Sequence, residues 1–165
     1  MKKILTIIFA ALALSAFSTT PKFGHINSTE LMGMMPELEA ATQRLQLENR
    51  ELESQLRTMI AERENLVSDF QANAEQWSEL IRNTRIRAIQ DLEQRINEFH
   101  QDSERSFELL RESLFAPIIE KIRQAIEEVA KENNYSYIFD TAQGTLLFAA
   151  DSESVLELVK RKLNL

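Results

Sequence analysis

The sequence predicts a mostly α-helical protein with a small β body, in which one long helical hairpin takes up most of the chain. No glycine, proline or cysteine occurs in the eighty residues from Glu37 to Ala116, so nothing there interrupts a helix. Short alternating stretches that favour strands occur only near the two ends. Apolar residues also recur every seven positions, as in a coiled-coil seam: Leu31, Leu38, Leu45, Leu52, Met59 and Leu66.

Residues 1–18 have the pattern of a secretory signal peptide. Lys2 and Lys3 precede an apolar run from Ile4 to Ala16, which is shorter than the roughly twenty residues that a membrane-spanning helix needs. Small residues at Ala16 and Ser18 match the positions before a cleavage site, so we expect cleavage near Ser18. The chain has no cysteine, so the exported protein must be stabilised by packing or oligomerisation rather than by disulfides.

The processed chain is acidic. Loss of Lys2 and Lys3 with the leader reduces the 19 basic residues to 17, against 26 acidic ones, which gives a net charge of −9. A chain of this charge repels nucleic acid, so we expect no nucleic-acid partner. Because 27% of the residues are charged and only 7% are aromatic, much of the chain is expected to be thin, solvated helix.

Residues 19–35 form the first part of the predicted β body. Residues 22–27 alternate as a short strand does, and Asn27 or Ser28 offers an N-cap to the helix that follows. Pro36 suits the first turn of a long helix, because its missing N–H would be unpaired there in any case. We therefore assign the helical hairpin to residues 36–132.

The hairpin has to reverse direction so that its chain returns to the β body. Pairing of apolar layers along the two arms places this reversal near Asn83-Thr84, with the tip at residues 80–87. Pro117 lies in the returning arm, and its ring is expected to kink the helix or to begin a new helical segment.

Residues 133–165 complete the predicted β body. Asn133-Asn134 is a plausible left-handed helix stop. The segments 135–140 and 145–149 are rich in apolar residues and flank a turn with Gly144, which predicts a β-hairpin. A last helix follows, capped by Asp151 and Ser152, with an apolar face that comprises Val155, Leu156, Val159 and Leu163.

The sequence offers no catalytic pattern. It has no cysteine and no glycine-rich phosphate loop, and its two histidines, His25 and His100, are far apart without carboxylates at metal-ligand spacing. We therefore expect no cofactor, no metal and no enzymatic activity.

Large apolar side chains in the outer part of the hairpin are candidates for binding another polypeptide. Two helices alone offer little depth for burying such groups, and exposed apolar surface usually marks a binding site. Ordinary packing within the seam is the alternative explanation. The candidate residues are Phe70, Trp77, Ile81, Ile86, Ile89 and Phe99.

Three arginines distinguish the predicted tip from the rest of this acidic chain. Arg82, Arg85 and Arg87 alternate with isoleucines and have no acidic residue among them. Such a surface suits anionic lipid headgroups or an acidic unfolded segment. The alternative is that these arginines only pair with Glu79 and Asp91.

The layout and several local strings resemble the Skp/OmpH family of periplasmic chaperones. The matching strings are residues 22–28 with Leu31 and Pro36, residues 117–135, and residues 137–140 with Gly144 and 146–148. The resemblance implies a homotrimer, in which β segments of three subunits form a barrel and the helical hairpins project from it as tentacles. Closure of this barrel would cover the predicted association residues, which are Phe23, Ile26, Tyr137, Phe139, Leu147 and Phe148.

The resemblance also implies a function. Members of the family hold unfolded outer membrane proteins in the cavity between their arms and work in the periplasm without ATP or metal. The best-known members are strongly basic, whereas this chain is acidic and only the tip arginines keep the basic character. The alternative is an envelope adaptor whose coiled coil docks one specific folded partner, and a pulldown would distinguish that single partner from many precursors.

Overall fold

The structure, a computed structural model, describes residues 20–144 and 146–165. The predicted signal peptide and its cleavage near Ser18 lie outside the described residues. The chain is mostly helical with a small β part, as the sequence predicts, and that part is one pair of strands. Its elements are β1 (Phe23–Ile26), α1 (Ser28–Gly33), α2 (Pro36–Asn73), α3 (Glu79–Glu132), β2 (Tyr137–Asp140) and α4 (Leu156–Leu163), with short 3₁₀ turns at Ala74–Gln76 and Asp151–Glu153.

The chain divides into two compact units. The first, called the terminal unit, combines residues up to Leu31 with Ile122–Leu165. The second, called the helical unit, is Met32–Lys121. Helix α3 contributes its residues up to Lys121 to the helical unit and the remainder to the terminal unit.

A two-stranded parallel sheet lies in the terminal unit. Strand β1 pairs with β2 in a register that places Phe23 opposite Tyr137 and His25 opposite Phe139. On its other side β1 forms a single bridge, in which the N–H of Val155 donates to the carbonyl of His25 at 2.9 Å. The two chain ends thus meet in one sheet, as the sequence predicts.

The predicted hairpin between residues 135–140 and 145–149 does not form. Strand β2 pairs with β1, but residues 146–150 have no regular secondary structure and add no third strand. Leu146, Leu147 and Phe148 follow one another without alternation, so a strand there would present apolar side chains on both faces. In the terminal unit those side chains remain exposed.

The core of the terminal unit is small and apolar. Helix α3 contributes Ile122, Ala125 and Val129 at helical spacing, and all three are buried. The other buried apolar residues of the unit are Ile26 of β1, Leu31, Val155 and Val159.

Local chemistry fixes several helix boundaries where the sequence places them. Pro36 is the first residue of α2. The side chain of Asn27 accepts the N–H of Glu30 at 3.0 Å and so caps α1. Asn134 adopts a left-handed φ of 57° after α3. The N–H of Tyr135 then donates to the carbonyl of Ala130 at 2.9 Å, which completes a Schellman stop.

The helical unit is an antiparallel helix pair. Glu37 near the start of α2 forms an ion pair with Lys121, and Asp69 near its end lies 4.0 Å from Arg85. The hydrogen bond from Lys121 holds the pKa of the Glu37 carboxyl below its usual value. These two contacts establish the direction of the helices within the unit.

The reversal lies at residues 74–78, not at the predicted Asn83-Thr84, which is part of α3. Helix α2 ends at Asn73, and a 3₁₀ turn leads to Ser78, whose hydroxyl accepts the N–H of Ile81 at 3.4 Å. The prediction weighed Asn83-Thr84 as a break, but the hydroxyl of Thr84 bonds to the carbonyl of Leu80 in the preceding turn of the same helix.

Helix α3 continues through Pro117, so no new helical segment begins there. Pro117 and Ser113, whose carbonyl loses its helical partner, are both exposed, and water can therefore satisfy that carbonyl. The seam of the helical unit is thin: the heptad residues from Leu38 to Leu66 are half-buried rather than buried.

Candidate functional site

Three aromatic rings form an exposed cluster on one face of the small sheet. Phe23 stacks on Tyr137 with their ring centroids 5.9 Å apart, and Phe139 lies 6.2 Å from Phe23 and 6.3 Å from Tyr137. Tyr137 is 62% exposed. Because side chains alternate along a strand, Gly24 and Ile26 point to the opposite, buried face. We call the three rings the aromatic face.

The segment that follows β2 adds further apolar surface to the same unit. Leu147 is 99% exposed and Phe148 is 83% exposed. The end of the segment is held by His25, whose Nε2 lies 3.0 Å from the carbonyl oxygen of Ala150. Two adjacent large apolar side chains that lie almost wholly in solvent make this segment a candidate for contact with another molecule.

All of the predicted association residues except Ile26 are exposed. Phe23, Tyr137 and Phe139 come together on the aromatic face, and Leu147 and Phe148 are exposed nearby in the chain. Ile26 differs, because it is only 2% exposed and packs inside its own subunit.

One edge of β2 also lacks a strand partner in the part of the chain that the structure describes. The sheet consists of β1 and β2 alone, and β1 takes one edge of β2. An unpaired edge of this kind accepts a further strand. The edge and the aromatic face together make the sheet the candidate site for association.

The second candidate surface is the turn of the helical unit, residues 70–87. Phe70 and Trp77 pack edge to face with centroids 6.0 Å apart, and the guanidinium of Arg85 lies 5.5 Å from the centre of the Trp77 ring. The guanidinium of Arg82 donates to the carbonyls of Ala74 and Trp77 at 3.2 and 3.0 Å. Arg82 thus closes the turn, while Arg87 is exposed.

The predicted apolar binding residues differ in exposure. Ile81 and Ile86 are exposed on the first turns of α3, whereas Phe70, Trp77 and Ile89 are half-buried. Phe99 is also half-buried but lies further along α3, in a groove between the helices. Leu80, which is 77% exposed at the start of α3, lies within the predicted tip but was not among the predicted binding residues.

The groove that contains Phe99 lies halfway along the helical unit. Leu52, Leu56, Phe99 and Phe107 supply its apolar wall, and its volume is about 180 Å³. This volume is below the roughly 300–1,000 Å³ of typical small-molecule sites.

Within residues 20–144 and 146–165 there is no cluster of side chains suited to holding a metal ion. None of the helices in this part of the chain combines the length and the hydropathy that crossing a membrane requires.

Comparison with known proteins identifies relatives of the fold. The family model OmpH, described as outer membrane protein (OmpH-like), matches residues 22–163. A crystal structure from Caulobacter crescentus CB15, described as an OmpH-like outer membrane chaperone, superposes with a TM-score of 0.76 at 13% sequence identity. The superposition covers 90% of this chain and 86% of the Caulobacter crescentus chain. No curated protein matches the chain significantly.

Proposed function

The chain belongs to the OmpH-like family, and from this premise we propose that it is a periplasmic chaperone that holds unfolded outer membrane proteins. In this proposal the helical arms enclose β-barrel precursors and prevent their aggregation, without ATP or metal. The description of the similar Caulobacter crescentus protein as an outer membrane chaperone supports a function of this type.

The observation that carries the proposal is the distribution of large exposed apolar side chains. In the helical unit they lie at separate places along both helices, and they include Leu47, Leu80, Ile81, Ile86 and Leu109. Scattered groups of this kind give many weak contacts, which sum to useful affinity over a long unfolded chain and still allow release.

Self-association is the second part of the proposal. We propose a homotrimer in which the aromatic face, Leu147 and Phe148 are covered by neighbouring subunits. The exposure of these side chains and the unpaired edge of β2 support it. Ile26 is excluded from the contact surface because the core of its own subunit buries it.

Contact of the arm tips with anionic membrane surfaces or acidic client segments is the third part. Arg82 keeps its positive charge, but hydrogen bonds to two backbone carbonyls hold its guanidinium against the turn, so it is less free than the other two arginines to reach an external partner. Arg87 and the partly exposed Arg85 are the residues proposed for this contact.

Light scattering tests the holdase activity directly. A β-barrel precursor diluted from urea should scatter strongly alone and remain clear with a stoichiometric excess of the protein. Replacement of both Ile81 and Ile86 by serine should weaken this protection, while replacement of Asn83 and Gln90 by serine, at exposed positions of the same helix, should not. Unchanged scattering with the wild-type protein would refute the proposal.

A further inference from the structure

We propose that the groove between the helices binds unfolded segments in which a large apolar side chain lies next to a basic one. The inference rests on the proposed holdase function and specifies the kind of client segment that the helical unit selects. The size of the groove, the charge of its rim and the charge distribution of the chain support it.

The groove exists because Ser103, a small polar residue, occupies a half-buried seam position that a tight coiled coil would fill with an apolar one. Asn49 and Ser103 line it beside the leucine and phenylalanine side chains of its wall. The short side chain of Ser103 leaves a gap that its neighbours do not close. With about 180 Å³, the gap admits a single large side chain rather than a helix or a folded partner.

The rim of the groove is acidic. Glu53 and Glu104 line it, and no lysine or arginine is among its lining residues. The carboxylate of Glu53 accepts a hydrogen bond from the neutral amide of Asn49 at 2.7 Å, which leaves its charge uncompensated. Glu104 lies 3.5 Å from the imidazole of His100, which compensates its charge only when protonated.

The charge distribution of the helical unit extends this preference beyond the groove. Residues 32–121 contain 18 acidic and 11 basic residues, which gives a net charge of −7. Four of the 11 basic residues lie between Arg82 and Arg95, so the remainder of the unit is more acidic still. Such a potential attracts cationic segments and repels acidic ones.

A pair of peptides tests the selectivity. Both are disordered twelve-residue peptides with two phenylalanines. One peptide has four lysines next to the phenylalanines, and the other has four glutamates at the same positions. We expect the lysine peptide to bind the purified protein at least about tenfold more tightly by fluorescence anisotropy in 0.05 M salt, with the difference reduced in 0.5 M salt. Equal binding, or tighter binding of the glutamate peptide, would overturn the proposal.

Two variants locate the binding. Ser103→Leu fills the groove without changing charge and should weaken binding of the lysine peptide. The double variant Glu53→Gln with Glu104→Gln keeps the shape of the groove but removes the charge of its rim. It should weaken binding of the lysine peptide about fivefold. The matched control is Glu51→Gln with Glu112→Gln, two exposed residues of the same helices outside the groove.

The outcomes separate this inference from the holdase proposal. If the preference for lysine survives in Ser103→Leu, or if the control variant weakens binding as much as the rim variant, the groove is not the site and the inference fails. Light scattering with the β-barrel precursor is measured on the same samples. Suppression of scattering together with a failed peptide preference would leave the holdase proposal standing and overturn only the groove.

Discussion

Replacement of Asp140 by alanine removes the carboxylate that joins the end of β2 to the start of α1. That carboxylate accepts the N–H of Ser28 at 3.1 Å, the hydroxyl of Ser28 at 2.5 Å and the N–H of Ala142 at 3.0 Å. Hydrogen bonds to charged groups contribute about 1.5–3 kcal/mol each. Because Asp140 is exposed and screened by solvent, we expect the free energy of unfolding to fall by about 2 kcal/mol in total.

The dependence of this loss on pH follows from the pKa of Asp140. Burial raises that pKa, but the hydrogen bonds from Ser28 and Ala142 outweigh burial and hold it below its ordinary value. The charged carboxylate therefore stabilises the folded state fully above the unfolded pKa of about 3.9. This contribution is lost as the pH falls through the lower, folded pKa.

Urea denaturation at pH 7 and at several acidic pH values measures the effect. The gap in stability between wild type and Asp140→Asn, which removes the charge but keeps the size, should be constant near neutrality and shrink below about pH 4. Asp91→Asn removes a charge from an exposed position of α3 and serves as the control. A gap that widens on acidification would refute the assignment of Asp140 as a charged cap.

Substitutions at four further positions test other parts of the structure. Gly24→Ala should cost about 1–3 kcal/mol in urea, because its Cβ would lie 2.9 Å from the ring of Tyr135; unchanged stability would contradict this packing. Arg82→Ala should speed amide hydrogen exchange at residues 74–82, where the guanidinium closes the turn, and equal protection would show that it does not. Asn134→Val should lower the free energy of unfolding by about 1–2 kcal/mol and Asn134→Gly should not lower it, because φ at this position is 57°. Equal losses in the two variants would refute the left-handed stop. Phe139→Asp should give a soluble monomer in sedimentation, and an intact trimer would contradict the proposed association.

The parts of the fold that could be predicted depend on interactions between neighbours in the sequence. Pro36 begins a helix and Asn134 ends one because each acts within a single turn. The helical spacing of Ile122, Ala125 and Val129 likewise accounts for the buried face of α3 in the terminal unit. These features follow from spacing and backbone chemistry, which the sequence displays directly.

The sequence does not show interactions between residues that lie further apart in the chain. Arg82 remains a proposed contact residue of the tip, but its hydrogen bond to Ala74, eight residues earlier, which closes the turn, could not be read from the sequence. Residues 145–149 have strand-like composition, but residues 146–149 form no strand, and one edge of β2 is without a strand partner in the described part of the chain. Composition shows that a segment favours a strand, but whether the strand forms depends on its partner and its packing.

One face of the sheet in the terminal unit is uncovered, since the buried residues of β1 lie on the other face. Gly24 and Ile26 lie on the buried side, while Phe23 and Phe139 lie on the exposed one. A two-stranded sheet is marginally stable in water, and a further strand with a second apolar layer stabilises it. In the proposed trimer, neighbouring subunits supply the further strand and the second apolar layer. Folding of the terminal unit is then coupled to assembly. The midpoint of thermal unfolding should then rise with protein concentration, whereas a midpoint independent of concentration would mean that the unit is stable alone.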